Sequence, residues 1–97
     1  MRVEIQDIVW LDVFTEKIWK KHHVTIREVE EVLNASPLIR YIEKGDVKGE
    51  DVYSAMGQTE NGRYLTIFFI RKANNRALII SARDMSRKEL NYYEKKK

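Results

Sequence analysis

At 97 residues, 43% hydrophobic and 34% charged, the chain has the size and composition of one soluble globular domain with room for a single modest core. It contains no cysteine, which excludes disulfides and thiolate metal sites and leaves packing to hold the fold. The net charge of +3 conceals a polarity: 8 Lys/Arg against 12 Asp/Glu through Gly62, then 10 against 3 from Arg63 onward. A segment so basic suits a polyanion, although the same charges also serve plain solubility, and Lys95-Lys96-Lys97 reads equally well as a frayed tail. No apolar run approaches the ~20 residues of a bilayer span and no signal-peptide core is present, so a cytoplasmic location is expected.

In chain order, Ile5 to Trp10 reads as a short first strand with Ile5, Ile8 and Trp10 turned inward. From Asp12 the spacing of Val13, Phe14, Lys17, Ile18 and Lys21 is helical, and Lys20-Lys21-His22-His23 closes that helix where cations suit the macrodipole. Thr25 with Glu28 forms a capping box for a second helix, whose Ile26, Val29, Val32 and Leu33 share one side until Asn34 and Pro37 stop it. Leu38 to Glu43, Val52 to Gln58, Tyr64 to Arg71 and Arg76 to Arg83 then read as strands. The Asn61-Gly62 signal and Asn74-Asn75 mark two of the turns between them. These loops are too short for crossovers, so the four strands are expected as an antiparallel meander. Leu78-Ile79-Ile80 is apolar on both faces, as a central strand requires. Ser86 with Glu89 is a third capping box and starts a basic C-terminal helix near Arg87. The fold class is α+β: a short N-terminal strand and two helices packed on a four-stranded antiparallel sheet, with one more helix at the C-terminus. No linker divides the chain, and residues 1–97 are expected to form a single domain.

Certain of these segments resemble the BrnT-type toxins of type II toxin–antitoxin systems. They are Trp10-x-Asp12, Lys21-His22-x-Val24, Gly49-Glu50 and Gly57-x-Thr59-x-x-Gly62-Arg63, then Ile79-Ile80-Ser81-Ala82-Arg83 and Ser86-Arg87-x-Glu89-x-x-Tyr92-Tyr93-Glu94. The resemblance spans nearly the whole chain and implies a small RelE-like ribonuclease held in check by a partner antitoxin. That partner would be a small BrnA-like protein with its own DNA-binding domain, through which alone operator DNA would be contacted. The chain departs from the pattern at His23, where the family usually has glycine, and at Val52 and Gln58, where arginine is common. A binding module of the same fold without catalytic activity is therefore the alternative.

Ribonucleases that use no metal cleave by attack of the 2′-hydroxyl on the adjacent phosphate. They need a base, an acid and cations around the phosphate. Arg83, at the end of a rigid strand, is the first candidate to hold that phosphate, since a guanidinium binds two oxygens at once; a salt bridge to Asp84 is its bland alternative. His22 is the candidate acid or base, with helix capping as the competing role for it and for His23. Tyr93 would stack on a base or hold a phosphate, while Tyr92 or Tyr93 is expected to dock the last helix to the sheet. Lys21, Arg63, Arg71, Lys72, Arg87 and Lys88 are the candidate RNA contacts. The adjacent histidines lack the spacing and the carboxylates of a metal site, and neither metal nor cofactor is expected.

Overall fold

The computed structural model describes residues 4–96. Its elements in chain order are β1 (Asp7–Val9), α1 (Asp12–His22), α2 (Ile26–Asn34), β2 (Leu38–Glu43), β3 (Val52–Gln58), β4 (Tyr64–Lys72), β5 (Arg76–Asp84) and α3 (Arg87–Lys96). Lys95 and Lys96 thus belong to α3, whereas Lys97 lies outside the described residues.

The local signals act as their chemistry requires. The Thr25 hydroxyl accepts from the Glu28 N–H at 3.1 Å while the Glu28 carboxylate accepts from the Thr25 N–H at 2.9 Å, which satisfies two donors at the start of α2. Ser86 and Glu89 repeat the arrangement at α3, at 3.1 and 2.8 Å. Between β3 and β4 the chain turns over Thr59–Arg63, with Gly62 at φ 92, a conformation that favours glycine. Between β4 and β5, Asn74 and Asn75 both take positive φ, 64 and 58, which asparagine tolerates better than most residues.

Strands β2 to β5 form the expected antiparallel meander, with β4 paired to both β3 and β5. The expectation of four antiparallel strands is corrected in one respect. The sheet has five strands in the order β1-β5-β4-β3-β2 and is mixed, because β1 pairs in parallel with β5 through Asp7↔Arg76, Ile8↔Ala77 and Val9↔Leu78. Loop length constrains only strands that follow one another, and it was silent on a strand pairing with the far end of the chain. This added neighbour makes β5 an interior strand for its first three residues; beyond Leu78 no strand among the described residues pairs on that side.

One face of the sheet carries Tyr53, Ala55, Leu65, Ile67, Phe69, Ala77, Ile79 and Ala82, buried against Ile18 of α1, Val24, and Val29, Val32 and Leu33 of α2. Ile5, Ile8, Trp10 and Ile39 pack at its margin. The buried positions of β5 change phase, from Ala77 and Ile79 to Ala82, because the register shifts opposite Phe68 and Phe69, leaving Ile80 as the extra residue of a bulge. Gly57 lets α2 approach closely: a Cβ there would stand 2.9 Å from Val32 Cγ1. The other face, with Thr66, Phe68 and Arg83, receives α3: Glu89 bonds to Thr66 and Arg83, and the Tyr93 ring meets Tyr64 edge-on at 6.1 Å.

Candidate functional site

The start of β4 and the end of β5 form one corner of the sheet, since Leu65 lies opposite Asp84 and Thr66 opposite Arg83. Arg63 anchors this corner. Its Nε and Nη2 hold both oxygens of Asp84, at 2.7 and 3.2 Å, while Nη1 reaches the Glu28 carboxylate at 3.2 Å. The same guanidinium donates to the backbone carbonyls of His22 and His23, each at 2.9 Å. All five of its N–H groups are therefore engaged within the protein. The carbonyls it binds are unsatisfied acceptors at the end of α1, so Arg63 caps that helix from outside and fixes where His22 and His23 sit. Burial opposes ionisation of Glu28, but the Thr25 N–H and Arg63 outweigh it and its carboxyl lies below the usual range. The Arg63 bonds likewise lower Asp84, with the nearby charge of His22 contributing.

Arg83 leaves the strand on the opposite face. Its fork grips Glu89, Nη1 to Oε1 at 2.6 Å and Nη2 to Oε2 at 2.9 Å, and Nη1 also donates to the Asp84 carbonyl at 3.2 Å. The guanidinium carbon lies 5.3 Å from the centre of the Phe68 ring. Burial raises the Glu89 carboxyl, yet Arg83, the Ser86 N–H and the Thr66 hydroxyl together bring it down to about 2. The Arg83 side chain remains 34% exposed, and among the described residues three of its five N–H groups are used. The partner is thus not the sequence neighbour Asp84, whose carboxylate goes to Arg63, but Glu89 one element further on. Glu89 was visible in the sequence as the capping-box acid; nothing in its spacing showed that it would also take the arginine.

Arg63 thus holds the His22 backbone at this corner, while the Arg83 side chain leaves on the opposite face of the sheet. His22 is half-buried and lines a cavity of about 200 Å³ with Lys17, Ile18, Lys21, Ile80 and Ser81. Lys21, Arg87 and Lys88 are exposed, the last two in the first turn of α3. Tyr93 follows Glu89 by one helical turn and is half-buried against Tyr64, while Tyr92 sits under the Arg40 guanidinium at 4.2 Å; both tyrosines dock α3. Arg71 and Lys72 are elsewhere. The antiparallel register sets Lys72 opposite Arg76, about 20 Å along the strand from the Thr66–Arg83 pair, so they do not extend the patch around Arg83. There Arg71 bonds to Asn75 at 3.0 Å and Lys72 to Glu50 at 2.8 Å. Among the described residues no group of three or more His, Asp or Glu is placed to hold a metal ion, and no helix is long and apolar enough to cross a membrane.

A small α+β domain of three helices on a five-stranded mixed sheet, with the ends of α1 and β5 held together by one arginine, is the class the geometry defines. The chain belongs to the BrnT family: the model described as "Ribonuclease toxin, BrnT, of type II toxin-antitoxin system" matches residues 10–89. It is thus a BrnT-type toxin, and membership implies an antitoxin protein as partner. The fold is similar to that in the crystal structure of the Brucella abortus ribonuclease toxin BrnT, with a TM-score of 0.60 at 18% identity, over 84% of this chain and 97% of that one. No curated protein matches the sequence.

Proposed function

We propose that this protein is a metal-independent endoribonuclease of the cytoplasm that inhibits translation by cutting RNA, with the cut made at the corner where α1 and β5 end and with His22 and Arg83 taking part. The observation that supports this reading is the corner itself: Arg63 holds the end of α1 that bears His22 beside Asp84, and Arg83, the residue before Asp84, leaves the strand with part of its fork unused. The phosphate would lie against the part of the Arg83 fork not taken by Glu89, where a planar cation can neutralise charge building on two oxygens. His22 would take the 2′-hydroxyl proton or return one to the departing 5′-oxygen, and Tyr93 would contact the adjoining nucleotide.

Lys21, Arg87 and Lys88 would bind the flanking phosphates. Arg87 and Lys88 sit at the N-terminus of a helix, where the macrodipole disfavours cations by about 0.3–1 kcal/mol each, so helix stability does not account for them. Arg63 would serve RNA indirectly, by holding the end of α1 that bears His22. Arg71 and Lys72 would be met only by a longer strand running along the sheet. The partner would be a BrnA-like antitoxin that carries the DNA-binding domain, so operator DNA is reached only through it.

Purified protein freed of its antitoxin should cut single-stranded RNA and leave 2′,3′-cyclic phosphate ends, the product of 2′-hydroxyl attack. Arg83→Ala should lower the rate about a hundredfold or more. His22→Ala should lower it about 10²–10⁴-fold and flatten its pH dependence near neutrality. Arg83→Lys should recover binding better than turnover. A second reading is favoured by the engagement of Arg63 and Arg83 with carboxylates and by the uncharged Val52 and Gln58: a module that binds antitoxin or RNA without cutting. Absence of cleavage with and without ribosomes would establish that one.

A further inference from the structure

Trp19 stands 51% exposed on the outer side of α1. An exposed apolar side chain needs no explanation by itself, but its surroundings are unusual. Residues three and four away along a helix are its surface neighbours, and for Trp19 these are Thr15, Glu16, His22 and His23, all polar. Leu11, the nearest exposed apolar residue on the same helical row, is two turns off, roughly 12 Å. Trp19 is therefore an isolated flat ring rather than part of an apolar patch of the kind that receives a protein partner.

The ring is also held. His23 lies against it, with ring centres 5.1 Å apart and planes tilted by 53°. His23 occupies the left-handed region at φ 53 and ψ 40, its N–H bonded to the Trp19 carbonyl at 2.9 Å and its own carbonyl bonded to Arg63. The backbone that carries both rings is thus fixed by bonds on both sides of His23. The run from Lys17 to His23 carries Lys17, Lys20 and Lys21, set on other sides of the helix from Trp19, and no acid. Of the acids near by, Glu28 and Asp84 are paired with Arg63, which leaves Glu16, one turn back, as the exposed carboxylate beside Trp19.

From this geometry we infer that Trp19, backed by His23, is a base-stacking platform for single-stranded RNA, receiving the base next to the nucleotide cut at His22. The inference rests on the proposed ribonuclease reading, because His22 is its neighbour on the helix surface. An exposed π-face accepts any base, and the basic helix that carries it attracts the phosphate backbone, which is how single strands are bound without reading their sequence.

The test uses the full chain and a short 2′-O-methyl oligonucleotide, which lacks the attacking hydroxyl and is not cut. Stacking should quench the tryptophan emission of the wild type. Trp19→Phe, which keeps a π-face, should bind within about threefold of wild type, whereas Trp19→Leu, equally apolar without one, should bind roughly five- to a hundredfold more weakly. The salt dependence should be unchanged in Trp19→Leu and shallower in Lys20→Gln and Lys21→Gln, since only the latter remove phosphate contacts. If the wild type binds and cuts RNA but Trp19→Leu binds it equally well, the platform is wrong and the ribonuclease reading stands. If Trp19→Leu weakens antitoxin binding and leaves RNA binding intact, the ring is a protein contact and the inference is overturned. A wild type that neither binds nor cuts RNA ends both.

Discussion

Arg63 grips Asp84 with two parallel bonds, Nε to Oδ1 at 2.7 Å and Nη2 to Oδ2 at 3.2 Å, and so ties the turn before β4 to the last residue of β5. Its remaining N–H groups reach Glu28 and two helix-end carbonyls, so one side chain joins α1, α2, β4 and β5. Arg63→Ala should cost about 2–3 kcal/mol, less than a fully buried pair because Asp84 is largely exposed. Arg63→Lys should recover little, since an ammonium cannot span four partners. Urea unfolding measures both; a loss under about 0.5 kcal/mol for Arg63→Ala would show the clamp to be surface decoration.

Acid should weaken the fold through Glu89. Its carboxyl lies at about 2 in the folded protein against an ordinary 4.5, so the ionised form is favoured by folding. The stabilisation is complete above about pH 5 and drains away as the pH falls towards 2. Allowing for the partial exposure of Arg83, it amounts to about 2 kcal/mol. Unfolding free energy followed from pH 6 to about 2 should drop less steeply in Glu89→Gln than in wild type. Identical slopes would mean that other carboxylates carry the acid sensitivity.

Arg83→Ala should fold, with a loss of about 1–2 kcal/mol, because its removal strands a half-buried Glu89 that keeps only the Ser86 and Thr66 bonds. In a double-mutant cycle, Arg83→Ala and Glu89→Gln should together cost less than the sum of the two alone. Strict additivity would show that the pair contributes nothing beyond its members.

His23→Gly should raise stability by up to about 1 kcal/mol. The left-handed conformation costs a side-chain-bearing residue about 1–2 kcal/mol, of which glycine's extra freedom in the unfolded chain takes back a part. Thermal denaturation reads the difference. A lower melting temperature would show that the contact with the Trp19 ring outweighs the strain.

Gly57→Ala should destabilise by about 1–3 kcal/mol, since the new methyl would stand 2.9 Å from Val32 Cγ1 and that side chain is fully buried. A neutral substitution would mean that α2 can slide on the sheet.

Legibility in the sequence followed the range of each interaction. Capping boxes at Thr25–Glu28 and Ser86–Glu89, and turns at Gly62 and Asn74-Asn75, are written within four residues and could be read directly. So could the aromatic and β-branched run of β4 and the apolar run of β5. The parallel seat of β1 on β5 could not, because three residues carry too little pattern to name a partner so distant in the chain. The candidate site divides the same way. His22 and Arg83 were picked out by residue type and by the ends of their elements, whereas the carboxylates that engage the arginines were not. Choosing between Asp84 and Glu89 for Arg83, and discovering that Arg63 turns inward, requires knowing which face each side chain leaves by. The bulge at Ile80 helps set that, and no residue type announces it.

The seat of β1 also orders events in time. Among the described residues its strand partner is β5, so the first strand of the sheet waits for the fifth before it can pair, and closing so long a loop comes late in folding. Ile8→Ala should accordingly quicken unfolding and leave the folding rate nearly unchanged in stopped-flow measurements. Asp84, the residue that positions Arg63, belongs to the same late strand. A chain made only as far as β4 thus lacks both the seat of β1 and the carboxylate that holds Arg63.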